Sequence, residues 1–218
     1  MDRKRLAKYF SQKPPIPFYI AGGVLLAAGV LIVLIQGGVY NALSYYFGVP
    51  AAVAGLLILC VTRGFVIRDA EADKQLDLLA ARVDSELPDA LKLTAKEQEL
   101  ERVPFKSYVY ENENAKYKRG SDKVIRSSEI GAGVFVLCNT RFCALYRTAS
   151  LVEDAETVSA FETPYDGIAG VTYVAAQYET MRLTVETADT SFTAIVPNDA
   201  LMDDFSNRLK NRTGHTVL

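Results

Sequence analysis

One run of the sequence decides the architecture of this chain. Residues 14–62 read PPIPFYIAGGVLLAAGVLIVLIQGGVYNALSYYFGVPAAVAGLLILCVT and contain no Asp, Glu, Lys, Arg or His in 49 positions. Because a bilayer core requires about 20 apolar residues per helix, the run is long enough for two membrane-spanning helices. We place them near residues 18–35 and from residue 43 or 48 to 67, with a turn at residues 36–41, where two glycines and an Asn interrupt the apolar pattern. Residues 14–68 are therefore predicted to form a transmembrane helical hairpin.

Positive charge flanks this run. Residues 1–13 form a basic tail with five Lys or Arg residues, and Arg63, Arg68 and Lys74 follow the second apolar segment, whereas the turn has none. Because such residues are retained on the cytoplasmic side, we expect a two-pass membrane protein with both termini in the cytoplasm. A cleaved secretory signal has a similar basic start and apolar middle, but the second apolar segment follows within a dozen residues and favours the hairpin.

A helical connector is predicted for residues 69–102. Its apolar residues recur at the spacings of an amphipathic helix: Ala72, Leu76, Leu79, Val83 and Leu87. Aspartates occupy another face at intervals of four: Asp69, Asp73 and Asp77. The apolar stripe is too short for a coiled coil, so we expect it to pack on the protein's own domain. Pro88 is predicted to interrupt this helix, and a second short helix is predicted from Thr94 to residue 100.

From residue 103 the hydrophobic period changes to two, which is typical of strands. Eight strands are predicted, at residues 105–111, 123–127, 133–138, 142–148, 158–162, 170–178, 182–187 and 191–196. Asn139-Thr140 and residues 188–190 are predicted to form hairpin turns. An amphipathic helix follows at residues 199–212, with Asn198 as its N-cap and Gly214 at its end. We therefore predict a mainly β soluble domain at residues 103–214, with seven or eight antiparallel strands closed by a C-terminal helix.

Three segments of this domain resemble the pleckstrin-homology-like (PH-like) domains of bacterial membrane proteins. They are residues 136–142 (VLCNTRF) with Leu145-Tyr146, residues 161–168 (FETPYDGI), and residues 195–197 (IVP) followed by the helix. The resemblance covers residues 103–212, although Cys138 stands where the family usually has Thr. It implies a seven-stranded antiparallel, partly open barrel capped by a C-terminal helix, and a module that binds lipid headgroups or proteins rather than a catalyst. It carries over no individual binding residue.

Residues suited to catalysis or to metal binding are few. His215, the one histidine, lies beyond the predicted end of the last helix, where chain termini commonly fray, so a nucleophile paired with histidine is not expected. Cys138 and Cys143 flank a predicted hairpin at unequal distance from its turn, and no Cys-x-x-Cys zinc spacing occurs. The sequence thus predicts no enzyme, no metal site and no cofactor. A net charge of −2 also disfavours a nucleic-acid partner.

A basic cluster lies near the start of the β domain. It comprises Lys116, Lys118, Arg119, Lys123 and Arg126. The resemblance implies that a loop at this position holds lipid headgroups, and a basic residue near an anionic bilayer contributes about 1 kcal/mol. These five residues are therefore our candidate headgroup site. The alternative is a solvated hairpin whose charge is offset by the acidic residues around it.

Together these features predict a membrane-anchored scaffold or binding module that senses anionic lipid. Its partners would be membrane lipid, a membrane protein, or a second copy of the chain. Gly23 with Ala27, and Ala51 with Gly55, place small residues at the four-residue spacing that lets helices approach closely. The alternative functions are an accessory subunit of a larger membrane complex and an unrecognised membrane enzyme. Lipid dependence, stoichiometric co-purification, and loss of function on substitution of a buried polar residue would distinguish the three.

Overall fold

The computed structural model describes residues 3–11, 16–35, 42–65, 68–91 and 99–214. The chain divides into two compact units. The helical unit is Ser11–Arg68, and the domain unit combines Met1–Phe10 with Asp69–Leu218. The N-terminal segment, which we predicted as a tail, thus belongs to the same unit as the β domain.

The described residues form five α-helices and nine β-strands. The helices are α1 (Arg3–Ser11), α2 (Ile16–Ile35), α3 (Val49–Phe65), α4 (Asp69–Leu91) and α5 (Ala200–Thr213). The strands are β1 (Glu99–Val109), β2 (Tyr117–Arg119), β3 (Ile125–Ser127), β4 (Glu129–Cys138), β5 (Arg141–Ser150), β6 (Glu156–Pro164), β7 (Ile168–Ala175), β8 (Thr180–Thr187) and β9 (Ser191–Pro197).

Helices α2 and α3 form the helical unit, and a short π-helical segment, Ser44–Gly48, leads into α3. The two segments Ile16–Ile35 and Ser44–Arg63 are each long and apolar enough to cross a membrane. Most of their large apolar side chains are exposed, as Val24 and Leu34 are. The turn predicted at residues 36–41 lies outside the described residues.

Glycines bring α2 and α3 into backbone contact. A Cβ atom added at Gly29 would overlap the backbone of Ala52 and Gly48, and one added at Gly55 would overlap the backbone of Leu26. The contact glycines recur at intervals of seven: Gly22 and Gly29 on α2, then Gly48 at the end of the π-helical segment and Gly55 on α3. Gly55 was predicted correctly, but Gly23 was not, since a Cβ there meets nothing within 4 Å. The contact face instead passes through Gly22, because residues seven positions apart, such as Gly22 and Gly29, lie on one side of a helix.

The strands form three antiparallel sheets, in the orders β1-β4-β5-β6, β2-β3 and β7-β8-β9. The predicted mainly β domain with a C-terminal helix is confirmed, and Asn139-Thr140 and residues 188–190 do connect adjacent strands. The described residues form nine strands in three separate sheets, instead of the seven or eight strands of one partly open barrel that were predicted. No ladder joins β6 to β7 among the described residues, and the short strand β2, whose three residues are too few to give a periodic pattern, was missed.

The core of the domain unit lies between the four-stranded and three-stranded sheets and is rich in aromatic rings. Helix α5 covers it with Met202, Phe205 and Leu209, and the Phe205 ring stacks on Phe135 with centroids 4.9 Å apart. The N-cap of α5 is Asp199, which accepts from Met202 N at 2.9 Å, instead of the predicted Asn198. The cap moves because the helix begins one residue later than predicted.

Helix α4 packs its apolar stripe on the sheet of β1, β4 and β5, as predicted. It does not stop at Pro88 but continues to Leu91. Pro88 has no N–H for the carbonyl of Asp84, and Arg102 Nη2 donates to that carbonyl at 3.2 Å, which compensates for the missing bond. Most of the helix predicted from Thr94 to residue 100 lies outside the described residues, and its last two positions belong instead to β1, which begins at Glu99.

Candidate ligand groove at the β2–β3 hairpin

The five predicted site residues lie on or beside the β2–β3 hairpin. Lys118 and Arg126 are directly opposite each other in the ladder, so they share one face, and Arg119, the next residue, lies on the other. Lys116 precedes β2, and Lys123 lies in the turn. The structure therefore does not bring the five cations to one surface.

Arg126 is a structural residue. Its side chain is 4% exposed, and its guanidinium donates to Asp73 at 2.7 and 2.8 Å and to Asp122 at 2.7 and 2.9 Å. Tyr108 also donates to Asp73, at 2.7 Å. The hydrogen bonds from Arg126 lower the pKa of Asp73 and lower the pKa of Asp122 to about 2. Both carboxylates thus stay ionised beside Arg126. Their negative charge compensates for the cost of burying its guanidinium.

Lys118 is occupied by the N-terminal helix. Its ammonium donates to the backbone carbonyl of Tyr9 at 2.8 Å and lies 3.9 Å from the centroid of the Tyr9 ring. Tyr9 is fully buried and donates to Asp69 at 2.8 Å. The other oxygen of Asp69 accepts from Ser121, at 2.8 Å from its backbone and 2.9 Å from its hydroxyl. Asp69 therefore joins α1, α4 and the turn of the β2–β3 hairpin.

Burial affects the charge state of this junction. Desolvation raises the pKa of Asp69, but the hydrogen bonds from Ser121 and Tyr9 outweigh it and leave that pKa below its usual value. Desolvation lowers the pKa of Lys118. The junction therefore holds an ionised carboxylate that accepts three hydrogen bonds, and a lysine that is partly withdrawn from water.

Lys116, Arg119 and Lys123 remain exposed. Two of them border a groove of about 400 Å³ between the β2–β3 hairpin and the turn that joins β7 to β8. We call it the hairpin groove; it is lined by Tyr110, Arg119, Asp122, Lys123, Val124, Ile125, Tyr178 and Glu179. Its volume falls in the range of sites that take small ligands or headgroups.

Tyrosine rings form one wall of the hairpin groove. Tyr110 is buried and donates to the carbonyl of Ile125 at 2.6 Å. The half-exposed ring of Tyr178 meets it edge to face, with centroids 4.8 Å apart. Tyr117 lies 5.9 Å from Tyr110 and donates to its carbonyl at 2.7 Å. Tyr110 and Tyr178, which line the groove, give it an aromatic surface, and hydrogen bonds hold Tyr110 and the neighbouring Tyr117 in place.

Backbone strain is concentrated at the same place. In the described part of the chain, the non-glycine residues with positive φ are Lys123 (69°), Tyr178 (49°) and Glu179 (61°), and all three line the hairpin groove. Such conformations cost about 1–3 kcal/mol each and cluster at functional sites. Glycine or asparagine would relieve the strain in both turns, so these side chains destabilise the fold where they stand.

The four charged residues of the groove lining sum to zero, but the two cations are not paired with the two anions. Asp122 is paired with Arg126, whereas neither Arg119 nor Lys123 forms an ion pair with any described residue. Glu179 is the remaining acidic residue of the lining. The groove therefore offers two cations, one anion and an aromatic wall. This combination suits a ligand that joins an anionic group to a ring or polyol.

Sequence reasoning missed the partners of the basic cluster. The interval of four between Asp69 and Asp73 was visible and did signal a polar face of α4, but its contact with a hairpin 50 residues later is a matter of tertiary structure. Nothing in the sequence marked Tyr178 and Glu179, because their turn lacks the usual glycine. Among the residues that the structure describes, no group of three or more His, Cys, Asp or Glu could hold a metal ion. His215 lies outside them, and Cys138 and Cys143 are buried.

No protein-family model and no curated protein matches the sequence. Among solved structures, the crystal structure of the DH/PH domains of p115-RhoGEF is similar with a TM-score of 0.32 and 12% identity, over 88% of this chain and 54% of that chain. This chain thus spans about half the length of that structure. A TM-score of this size does not establish a shared fold.

Proposed function

We propose that this chain is a membrane-anchored binding module, in which α2 and α3 cross the cell membrane and the domain unit binds anionic lipid headgroups on the cytoplasmic side. The hairpin groove carries this proposal, because it combines the exposed cations Arg119 and Lys123 with strained turns and an aromatic wall. Exposed Lys116 adds charge beside it. In this role the chain serves as a scaffold or lipid sensor rather than as an enzyme.

The junction at Asp69 supports the two-pass arrangement. Tyr9 comes shortly before α2 and Asp69 shortly after α3, and a hydrogen bond of 2.8 Å joins them. Both flanks of the apolar helices therefore belong to one unit, which fits an even number of membrane crossings. The basic residues of these flanks favour the cytoplasmic side.

The order of the strands supports a PH-like domain. Without the β2–β3 hairpin, seven strands remain, in a sheet of four followed by a sheet of three and a C-terminal helix. This matches the strand number and the final helix that the sequence resemblance implies. The β2–β3 hairpin then lies within the connection between the first two strands of that sheet, where the resemblance implies a headgroup-binding loop.

Flotation tests the proposal on the full chain, kept soluble in a non-ionic amphipol and mixed with neutral or anionic liposomes. We expect flotation on anionic liposomes that weakens as salt rises, because salt screens exposed charges. Lys116→Glu and Arg119→Glu should each weaken it about tenfold or more, since each reverses a charge worth about 1 kcal/mol. Lys74→Glu, an equal change on exposed α4, is the matched control. Equal flotation on both kinds of liposome, or equal losses in groove and control variants, would remove the headgroup site.

The alternative, an accessory subunit, is favoured by the edge strand β7. No charged residue occurs from Gly167 to Tyr178, whereas β6, an edge strand of the four-stranded sheet, carries Glu156 and Glu162, both in ion pairs. Charges on an edge strand discourage strand addition, so β7 is better suited than β6 to pair with a strand of a protein partner. Val174→Lys would abolish such a complex in co-purification, and Val158→Lys on β6 would not.

A further inference from the structure

Helix α1 has the composition of a membrane-surface helix. Its sequence, RKRLAKYFS, contains four basic residues and no acidic one. Leu6, Tyr9 and Phe10 lie at the spacing of one helix face and are 3%, 0% and 9% exposed. Basic amphipathic helices with aromatic residues bind the interface of anionic membranes. Residues 12–15 alone separate α1 from α2, so in a membrane-anchored chain α1 stays close to the bilayer.

In the structure this helix instead occupies a seat on the domain unit, made of Asp69, Glu71 and Lys118. Arg5 pairs with Glu71 at 2.8 Å, and Tyr9 donates to Asp69 and accepts from Lys118. The acidic residues of the seat offer α1 the same kind of charge as an anionic lipid surface. The side chain of Arg5 is about half exposed in this ion pair, and exposed ion pairs are weak and sensitive to salt. An anionic lipid surface could therefore replace Glu71 as the partner of Arg5.

We propose that α1 has a second binding partner, an anionic lipid surface, which competes with the seat. When α1 binds lipid, Lys118 is released from the carbonyl of Tyr9. In a neutral membrane α1 stays seated, and Lys118 is held by the Tyr9 carbonyl. On an anionic membrane α1 moves to the lipid, and Lys118 becomes the fourth exposed cation of the hairpin. This regulation rests on the proposed function, because freeing Lys118 strengthens headgroup binding only if the hairpin binds headgroups.

A single tryptophan reports the position of α1. The chain contains no Trp, so Phe10→Trp introduces a unique fluorophore on the buried face of α1. The full chain is placed in nanodiscs of brominated neutral lipid, or of the same lipid mixed with brominated anionic lipid. Bromine quenches the fluorophore only where α1 reaches the lipid. We expect stronger quenching in the anionic discs, and Leu6→Trp provides a second reporter if the first variant does not seat α1.

Three variants sharpen the result. Lys4→Gln should reduce the ratio of released to seated helix in anionic discs about fivefold, the factor expected for one cation at an anionic surface. Lys118→Gln should raise release in neutral discs, whereas Lys116→Gln, on the same hairpin but without a contact to α1, should not. Identical quenching in neutral and anionic discs, with both reporters, would overturn this inference.

The outcome is separable from that of the headgroup site, because the fluorophore follows α1 and the flotation variants follow the groove. Quenching that responds to anionic lipid, with flotation indifferent to Arg119→Glu, would keep the lipid partner of α1 and overturn the headgroup site. Unresponsive quenching with flotation that depends on Arg119 would do the reverse.

Discussion

Two hairpins of this chain are held together by opposite means. In the helical unit, α2 and α3 meet where side chains are missing, at Gly29 and Gly55. In the domain unit, the β2–β3 hairpin is held on α4 by charge, with Arg126 between Asp73 and Asp122. In the proposed membrane setting, apolar side chains gain little by leaving lipid, so close packing would hold α2 and α3 together, whereas the buried cation of the domain unit requires its partners. The presence of small or basic residues in a sequence therefore does not show which of them stabilise the fold.

The largest effect is expected at the charged hairpin. Arg126→Ala leaves two carboxylates without their donor and should lower the free energy of unfolding of the domain unit by about 3 kcal/mol. Hydrogen exchange of the amides of β4 and β5, which reports opening of the core, measures this loss. Arg119→Ala removes an exposed arginine from the other face and should change the same quantity by less than about 0.5 kcal/mol. Equal losses of unfolding free energy in the two variants would show that the Arg126 face and the Arg119 face of the hairpin contribute equally to stability.

The glycine contact is expected to be nearly as sensitive. Gly29→Ala places a Cβ against the backbone of the facing helix, so the helices must separate, at a cost of about 1–3 kcal/mol. Unfolding of the full chain in mixed micelles of rising denaturing-detergent content measures the change. Gly23→Ala is the matched control, because its Cβ enters open space. A loss at Gly23 equal to that at Gly29 would contradict the contact described here.

A smaller effect of opposite sign is expected in the turns of the groove. Lys123→Gly and Glu179→Gly relieve positive φ and should each stabilise the domain unit by about 0.5–1 kcal/mol. Lys123→Gly should also weaken flotation on anionic liposomes, because it removes a groove cation. Asp189→Gly, in a turn without positive φ at a non-glycine residue, should not stabilise. Stabilisation without any loss of binding would mean that the strained lysine serves no ligand.

The smallest effect is a dependence on acid that only the charged hairpin should show. The pKa of Asp73 is lowered and that of Asp122 falls to about 2 from 3.8. The stability that these carboxylates contribute is therefore fully present above pH 3.8 and is lost as the pH falls toward 2. Helices α2 and α3 contain no carboxylate. Protection factors of the domain unit, in which each exchange rate is corrected for the intrinsic rate at that pH, should fall from pH 5 downward, and less so in Arg126→Ala, which has already lost the pairing.

Sequence reasoning succeeded where a local pattern dictates the structure. The apolar stripe of α4, the turn at Asn139-Thr140 and the helix that ends at Gly214 follow from periodicity, turn chemistry and capping. It failed where a distant partner decides the outcome. Pro88 does not end α4, because Arg102 supplies the missing donor, and a one-residue rotation of α2 selects Gly22 over Gly23.

The candidate site was foreseen in part for the same reason. The basic cluster is visible in the sequence, and three of its members are exposed. The alternation of strand residues could have separated Lys118 and Arg126 from Arg119 if the short strand β2 had been recognised. The aromatic wall could not be foreseen, because it joins Tyr110 to a turn almost 70 residues later.

Lysine acylation of the full chain in nanodiscs tests the central claim most directly, because it reports on the groove while α2 and α3 are surrounded by lipid. The rates at Lys116 and Lys123 are compared with the rate at Lys106, a half-exposed lysine on β1 that pairs with Asp77. If the groove binds headgroups, acylation of Lys116 and Lys123 slows in anionic discs relative to neutral ones, and acylation of Lys106 does not. Equal rates in both kinds of disc at all three lysines would contradict the claim that this domain recognises anionic lipid.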